Sequence, residues 1–313
     1  MMMSKCFELL CALEQSKAGL ATAQAAEHTH LPVSEVQPAL HTMQADELVC
    51  CSDGTWTITS HGLNWLSPYR VKRAVILAAG LGSRLRPVTD RIPKPMIPVK
   101  GTRIIDTILD ALIAAKINEI HIIRGYRAEA FDALLEKYSN LIFTDNPLYA
   151  SANNLFSLLY AKDWLQNAYV LDADLYLFTP TLIRKYEYHT NYLACWCEHT
   201  DEWCFAHEGL RIKSFSIGGD RCYRMFGLSY WDEDDGLRLA ADLEKAAHSP
   251  LARTFYWDEV PLRICKENYR IKLRKCAADD ILEIDTLEEL AALDPAYRPY
   301  LSDSPPVRKA PAR

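Results

Sequence analysis

A chain of 313 residues with 49% apolar content is long enough for two domains, each with its own core. Its net charge of −6 disfavours a broad nucleic-acid surface. No apolar run reaches the about 18 residues of a membrane span, and the opening MMMSKCFELLCALEQ places acids inside its apolar pattern with no small-residue cleavage site, which makes a poor signal peptide.

Residues 1–70 read as helices followed by a hairpin. Cys6, Phe7, Leu10, Cys11 and Leu13 have helical spacing, 22–28 suits a second helix, and 34–44 suits a third with Val36, Leu40 and Met43 on one face. Leu48 to Cys51, the Asp53-Gly54 turn and Trp56-Thr57-Ile58 predict a hairpin. Three helices and a wing resemble a winged helix-turn-helix domain. DNA binding does not follow from that resemblance. Three cations (Lys5, Lys17, Arg70) stand against seven anions (Glu8, Glu14, Glu27, Glu35, Asp46, Glu47, Asp53), and the third helix has neither Lys nor Arg. DNA affinity rests largely on phosphate neutralisation, and only Gln37 and Gln44 remain there for base readout. A homodimer contact, or a scaffold for the rest of the chain, suits this prefix better. His28 and His30 read as loop residues rather than metal ligands.

The next stretch, RAVILAAGLGSRLRPVTDRIPKP over 73–95, runs a buried strand, Ala74 to Ala78, into a glycine turn. Glycine lets backbone N–H groups close on an anion. Leu85 stands where the dinucleotide fingerprint needs a third glycine, and Gly-Lys-Ser/Thr is absent, so neither common phosphate loop is present. Instead Arg84, Arg86 and Lys94 follow, cations suited to a triphosphate whose leaving group must be neutralised. The segment closely resembles the signature of the nucleotidyltransferases that make sugar nucleotides and related activated head groups. Ala78 to Arg86, Pro87, Val88, Thr89 and Lys94 carry that resemblance. The resemblance implies a nucleotidyltransferase, with nucleotide contacts expected from Leu77, Ala78, Ala79, Gly80, Gly82, Ser83 and Arg84.

Farther on, 104–116 predicts an amphipathic helix, Glu119 to Ile123 a strand ended by Gly125-Tyr126, and 128–138 a helix. Leu141 to Phe143 is a third strand, Asn153 and Asn154 open a helix reaching Ala161, and Tyr169 to Leu171 is a fourth strand. Alternating strands and helices predict an α/β architecture, a Rossmann-like, mostly parallel sheet flanked by helices, with its ligand at the carboxyl ends of the strands. Two carboxylates, Asp172 and Asp174, follow the fourth strand directly and invite Mg2+, which takes one or two carboxylates plus water and phosphate oxygens. In the superfamily the metal ligand falls on Asp174. Tyr126, Asn154 and Asp172 complete the expected nucleotide contacts.

From Asn146 to Phe178 the order of an Asn-Asn helix start, Phe-Ser-Leu, then Tyr-Val-Leu-Asp-Ala-Asp-x-Tyr-Leu-Phe looks like the bacterial choline-phosphate cytidylyltransferases. Asp201-Glu202-Trp203, Gly227 to Asp232, Tyr256 to Glu259 and Glu283 to Thr286 continue that resemblance, which covers about 72–293. It implies CTP and phosphocholine as substrates. Trimethylammonium donates no N–H hydrogen bond and is held by aromatic faces and anions. Trp203, Tyr230, Trp231, Tyr256 and Trp257, with Asp258 and Glu283, are the expected acceptor contacts. Asp285, after an apolar strand, is the second expected Mg2+ ligand beside Asp174, and Arg84, Lys94 and Asp174 are the expected catalytic groups. Related acceptors such as 2-aminoethylphosphonate, phosphoethanolamine or a sugar 1-phosphate keep the same chemistry. A rival of another class is a nucleotide-sensing DNA-binding regulator.

Ten cysteines show no Cys-x-x-Cys and no metal-ligand spacing, as reduced thiols in a cytoplasmic protein would. The expected division is 1–70 winged-helix-like domain, 71–297 nucleotidyltransferase domain, and 298–313 a Pro-, Ser- and Ala-rich flexible tail.

Overall fold

The structure, a computed structural model, describes residues 2–303. Residues up to Arg70, joined by Tyr186–Tyr188, form one compact unit; Val71–Lys185 and the chain from His189 onward form the other.

In the first unit, α1 (Met2–Gln15), α2 (Thr22–Thr29) and α3 (Val33–Ala45) pack around Phe7, Leu10, Leu13, Ala25, Val36, Leu40 and Met43. A three-stranded sheet completes it: β1 (Leu20–Ala21), β2 (Val49–Ser52) and β3 (Thr55–Ile58), with β3 central. The Asp53-Gly54 turn has positive φ at both residues, the conformation that matches the twist of a two-residue hairpin. β1 was not foreseen, being only two residues long. Tyr188 joins this core beside Phe7 at 5.2 Å and Tyr69 at 4.9 Å. The exposed side of α3 carries Glu35, Gln37, His41 and Gln44 and no cation.

The second unit is built on one seven-stranded sheet. Its strands are β4 (Arg73–Ala78), β5 (Glu119–Arg124), β6 (Leu141–Asp145), β7 (Ala168–Asp172), β8 (Asn191–Glu208), β9 (Arg211–Trp231) and β10 (Lys272–Cys276), in the order β8-β10-β9-β7-β4-β5-β6. The β7-β4-β5-β6 half is parallel, but β9 runs antiparallel to β7 and to its hairpin partner β8. β10 runs parallel to β8, so six of the seven strands share one direction and only β9 opposes them: the sheet is mixed and mostly parallel. The long hairpin of β8 and β9 causes this one reversal, because the two strands of a hairpin run antiparallel. Alternation along β4 sends Ala74, Ile76 and Ala78 into one core and Val75 and Leu77 into another, so both faces are covered. The helix α4 (Ile104–Ala114) buries Ile105, Ile108, Leu109 and Leu112 in the first of these.

A small antiparallel ladder, Leu175–Leu177 with Ile281–Glu283, lies outside the main sheet. Its register pairs Leu175 with Glu283, and the Ile284 N–H donates to the Asp174 carbonyl at 3.1 Å. Residues Pro295–Asp303 form 3-10 turns, and the remainder of the expected tail, 304–313, lies outside the described residues. Among the described residues no helix is long and apolar enough to cross a membrane.

Candidate active site

The glycine loop follows β4 directly. Gly82 has φ +60°, a left-handed conformation, and a Cβ there would meet Thr89 Cγ2 at 3.0 Å and Lys94 Cβ at 3.1 Å. Its carbonyl accepts from Thr89 Oγ1 at 2.9 Å, so the loop is tied to the following turn. The loop walls a cavity of about 260 Å3 that is also lined by Arg84, Lys94, Asn154, Asp172, Asp174 and Asp285. Of the expected nucleotide contacts only Tyr126 falls outside this lining. Its hydroxyl is turned to donate to the Thr89 carbonyl at 2.9 Å, and its N–H is used on Ala79. Tyr126 braces the loop rather than facing the cavity.

Lys94 is buried and its ammonium donates to Asp174 Oδ2 at 2.7 Å and Asp285 Oδ1 at 2.9 Å. Arg84 Nη2 donates to the same Asp285 oxygen at 2.8 Å. The ladder described above is what brings Asp174 to Asp285 across more than a hundred residues of sequence. Asp285 is steadied in turn by a capping box: Glu289 accepts from the N–H groups of Asp285 (2.7 Å) and Thr286 (2.9 Å), and the Thr286 hydroxyl accepts from the Glu289 N–H.

Asp174, Glu283 and Asp285, all buried, each present a carboxylate oxygen within 4.8 Å of the others. Three hard oxygen donors in one buried cluster fit Mg2+ and suit thiophilic metals poorly. The cations at hand are Lys94, Arg84 and Arg224, the last 3.6 Å from Glu283. Three cations therefore balance three carboxylates, which lets these acids stay buried. Glu283 thus belongs to the acidic cluster as well as to the acceptor side.

A second, narrower cavity of about 30 Å3 adjoins the first, and Asn154 and Asp172 line both. Its other walls are Glu202, Trp203, Met225, Gly227, Tyr256, Asp258 and Glu283. Trp203 stacks on Phe215 at 4.5 Å and meets Tyr256 edge-on at 5.8 Å and 80°, which forms an aromatic corner. Asn154 does not cap its helix with its side chain. Its Oδ1 accepts from the Trp257 N–H at 3.0 Å, which leaves the amide Nδ2 as its donor end. Asp172 can reach the cavity because position 227 is glycine: a Cβ there would lie 1.9 Å from Asp172 Oδ2.

Four of the seven expected acceptor contacts, Trp203, Tyr256, Asp258 and Glu283, line this cavity. Tyr230, Trp231 and Trp257 do not. Each is at most 1% exposed and packs in the core. Trp231 donates to Ser229 Oγ at 3.0 Å and crosses Trp257 at 69°, while Tyr230 sits edge-on to Tyr169. Large rings at the ends of central strands are drawn into the sheet interface, where they bury most area. Asp258 Oδ1 also accepts from the Tyr192 hydroxyl at 2.9 Å. Burial, then the Asp258 charge, pushes the Tyr192 hydroxyl well above its ordinary pKa, so it remains a donor. Sequence reasoning left Ser157, Met225 and Gly227 out of the site. Gly227 had a signal, a glycine inside a strand pattern, which marks a close approach; Met225 had none.

Residues 73–177 match the family model described as "Nucleotidyl transferase". Over 232 residues the chain is 33% identical to the 2-aminoethylphosphonate cytidylyltransferase of Lancefieldella rimae, covering 72% of this chain and 92% of that protein. It is also 33% identical over 225 residues to the choline-phosphate cytidylyltransferase of Streptococcus pneumoniae, covering 71% of this chain and 96% of that one. A solved structure of the CTP:phosphocholine cytidylyltransferase from Streptococcus pneumoniae superposes with a TM-score of 0.67 at 34% identity, covering 73% of this chain and 100% of that chain.

Proposed function

This chain belongs to the nucleotidyl transferase family, among its cytidylyltransferases, and we propose that it transfers CMP from CTP to phosphocholine, giving CDP-choline and pyrophosphate. One observation carries the reading: a cavity walled by a glycine loop and cations adjoins a cavity walled by an aromatic corner and carboxylates, and the two share Asn154 and Asp172. A triphosphate in the first and a cationic head group in the second would bring their phosphates together at that junction.

In the reaction, an oxygen of the acceptor phosphate attacks the α-phosphorus of CTP in line, and the bond to pyrophosphate breaks. A phosphate dianion is already a nucleophile, so neither a covalent enzyme intermediate nor a strong general base is needed. The protein's work is positioning and charge neutralisation. The loop amides around Gly80, Gly82 and Ser83 hold CTP, Arg84 neutralises the departing pyrophosphate, and Lys94 meets the α- or acceptor phosphate. Asp174 and Asp285 would hold Mg2+, which supplies positive charge between the two anions. Trp203 and Tyr256 offer faces to the trimethylammonium group, each contact contributing roughly 0.5–2 kcal/mol.

A second reading has its own observation. Carboxylates in the acceptor cavity (Asp172, Glu202, Asp258, Glu283) outnumber its aromatic faces, and at about 30 Å3 it is narrow for three methyl groups. That favours a primary ammonium, as in 2-aminoethylphosphonate or phosphoethanolamine. Pyrophosphate release by the purified chain with CTP and Mg2+, run in parallel on phosphocholine, phosphoethanolamine, 2-aminoethylphosphonate and glucose 1-phosphate, separates the readings. Release fastest with phosphocholine supports the first, release fastest with an amine supports the second, and release only with glucose 1-phosphate removes both.

For the N-terminal unit we propose a winged-helix fold that serves dimerisation or scaffolding. Its acidic balance and cation-free α3 support this over DNA binding. The cytoplasm, where CTP is made and thiols stay reduced, is the proposed compartment.

A further inference from the structure

A cavity of about 240 Å3 lies in the same unit yet shares no lining residue with either part of the candidate active site. We infer that it is a second anion site, built for a phosphate-bearing small molecule with an apolar or flat body. Four cations line it, Arg211, Lys213, Lys266 and Arg270, against one acid, Glu267. Such an excess is unexpected in a chain of net charge −6 and is concentrated on one concave surface.

The backbone makes the concavity. The Ile212 N–H donates to the Ile271 carbonyl at 3.0 Å and the Leu273 N–H to Leu210 at 2.6 Å, which zips the start of β9 to the segment carrying Arg270. Arg270 is not a loose surface arginine. Its Nη1 donates to the carbonyls of Glu267 (3.2 Å) and Tyr269 (2.9 Å), which holds the guanidinium over the turn and leaves it other N–H donors. Lys213 is 2.5 Å from Glu208, an acid outside the lining, and is partly neutralised. Arg211, Lys266 and Arg270 form no ion pair among the described residues. Beneath these cations Leu262, Tyr269 and Ile271 are buried and give an apolar floor.

Cations above an apolar floor suit a phosphate ester better than a bare inorganic ion. The volume, close to the about 260 Å3 of the nucleotide cavity, leaves room for the body of such a molecule. The walls back onto the acceptor cavity. The Leu262 N–H donates to the Asp258 carbonyl at 3.1 Å, and Phe215, next to Ser214, is the ring stacked on Trp203.

The test uses phenyl phosphate, a phosphate ester with a flat body, as probe in calorimetric titration of the full chain at low salt without metal. Wild type is compared with Lys94→Ala, which removes a cation of the nucleotide cavity, and with the double variant Lys266→Glu/Arg270→Glu, which reverses two exposed charges at the second cavity. The expected result is a binding event that survives Lys94→Ala, weakens at least about tenfold in the double variant, and fades as salt screens it. No event in Lys94→Ala, or one that the double variant leaves unchanged, overturns the assignment. Lys266→Arg/Arg270→Lys, which keeps both charges, is expected to bind as wild type does. Because the readout is binding rather than turnover, the outcome does not depend on which acceptor the enzyme uses.

Discussion

The nucleotide cavity and the acceptor cavity touch, but they are made differently. Nine consecutive residues, 77–85, supply half of the first, and much of that wall is backbone. The second draws on six separate stretches of the chain, none giving more than two residues. A backbone wall recognises what every nucleoside triphosphate shares. A side-chain wall decides what else may enter, and single substitutions can retune it. Nucleotide binding and acceptor selection are thus held by different kinds of structure, joined at Asn154 and Asp172.

Trp231→Ala tests whether the buried rings belong to the core rather than to the acceptor wall. It is expected to cost about 3–5 kcal/mol of stability by urea unfolding, while the surviving folded enzyme keeps its ranking of acceptors. A changed ranking would return Trp231 to the acceptor side. Asp174→Asn strikes the acidic cluster in the wall of the nucleotide cavity. Turnover is expected to fall by about 10²–10³-fold with the circular dichroism spectrum retained, and an active variant would remove the metal assignment.

Gly227→Ala puts a methyl group where Asp172 Oδ2 now lies, 1.9 Å from the new Cβ. Forcing that carboxylate aside should cost about 1–3 kcal/mol, read as a raised KM for the acceptor. An equal rise in the KM for CTP would place Asp172 with the nucleotide instead. Tyr256→Leu keeps the apolar wall and removes the π face. It should weaken phosphocholine by about 0.5–2 kcal/mol and primary amines by less; equal losses for both would take the aromatic corner out of cation recognition.

What could be read in advance follows the same division. The glycine loop and its cations are local in sequence, so Gly80, Gly82, Arg84 and Lys94 announced their cavity, and Asp174 announced itself by following a buried strand. The pairing of Asp174 with Asp285 depends on a three-residue ladder whose register no local pattern reveals. Aromatic rings proved ambiguous for a physical reason. A tryptophan gains as much by packing under a sheet as by facing a cation, so Trp203 and Trp231 look alike until the strands are placed. Tyr126 shows a similar ambiguity: it follows a strand end at the cleft, but it lies outside the cavity lining and its hydroxyl donates to the Thr89 carbonyl. The antiparallel hairpin of β8 and β9 was hidden because its strands, 18 and 21 residues long, lack a clean alternation, although Gly209, at φ +58°, opens its two-residue turn.

The central claim is that a phosphate of a small cationic acceptor displaces pyrophosphate from CTP on this protein. Phosphorus NMR of the purified chain with CTP, Mg2+ and phosphocholine tests it most directly. The account predicts that the α-, β- and γ-phosphorus signals of CTP give way to those of pyrophosphate and of a mixed diphosphate in equal amounts, with phosphocholine consumed in step. CTP lost to CMP or CDP while phosphocholine remains untouched, with the same result for the amine acceptors, would contradict it.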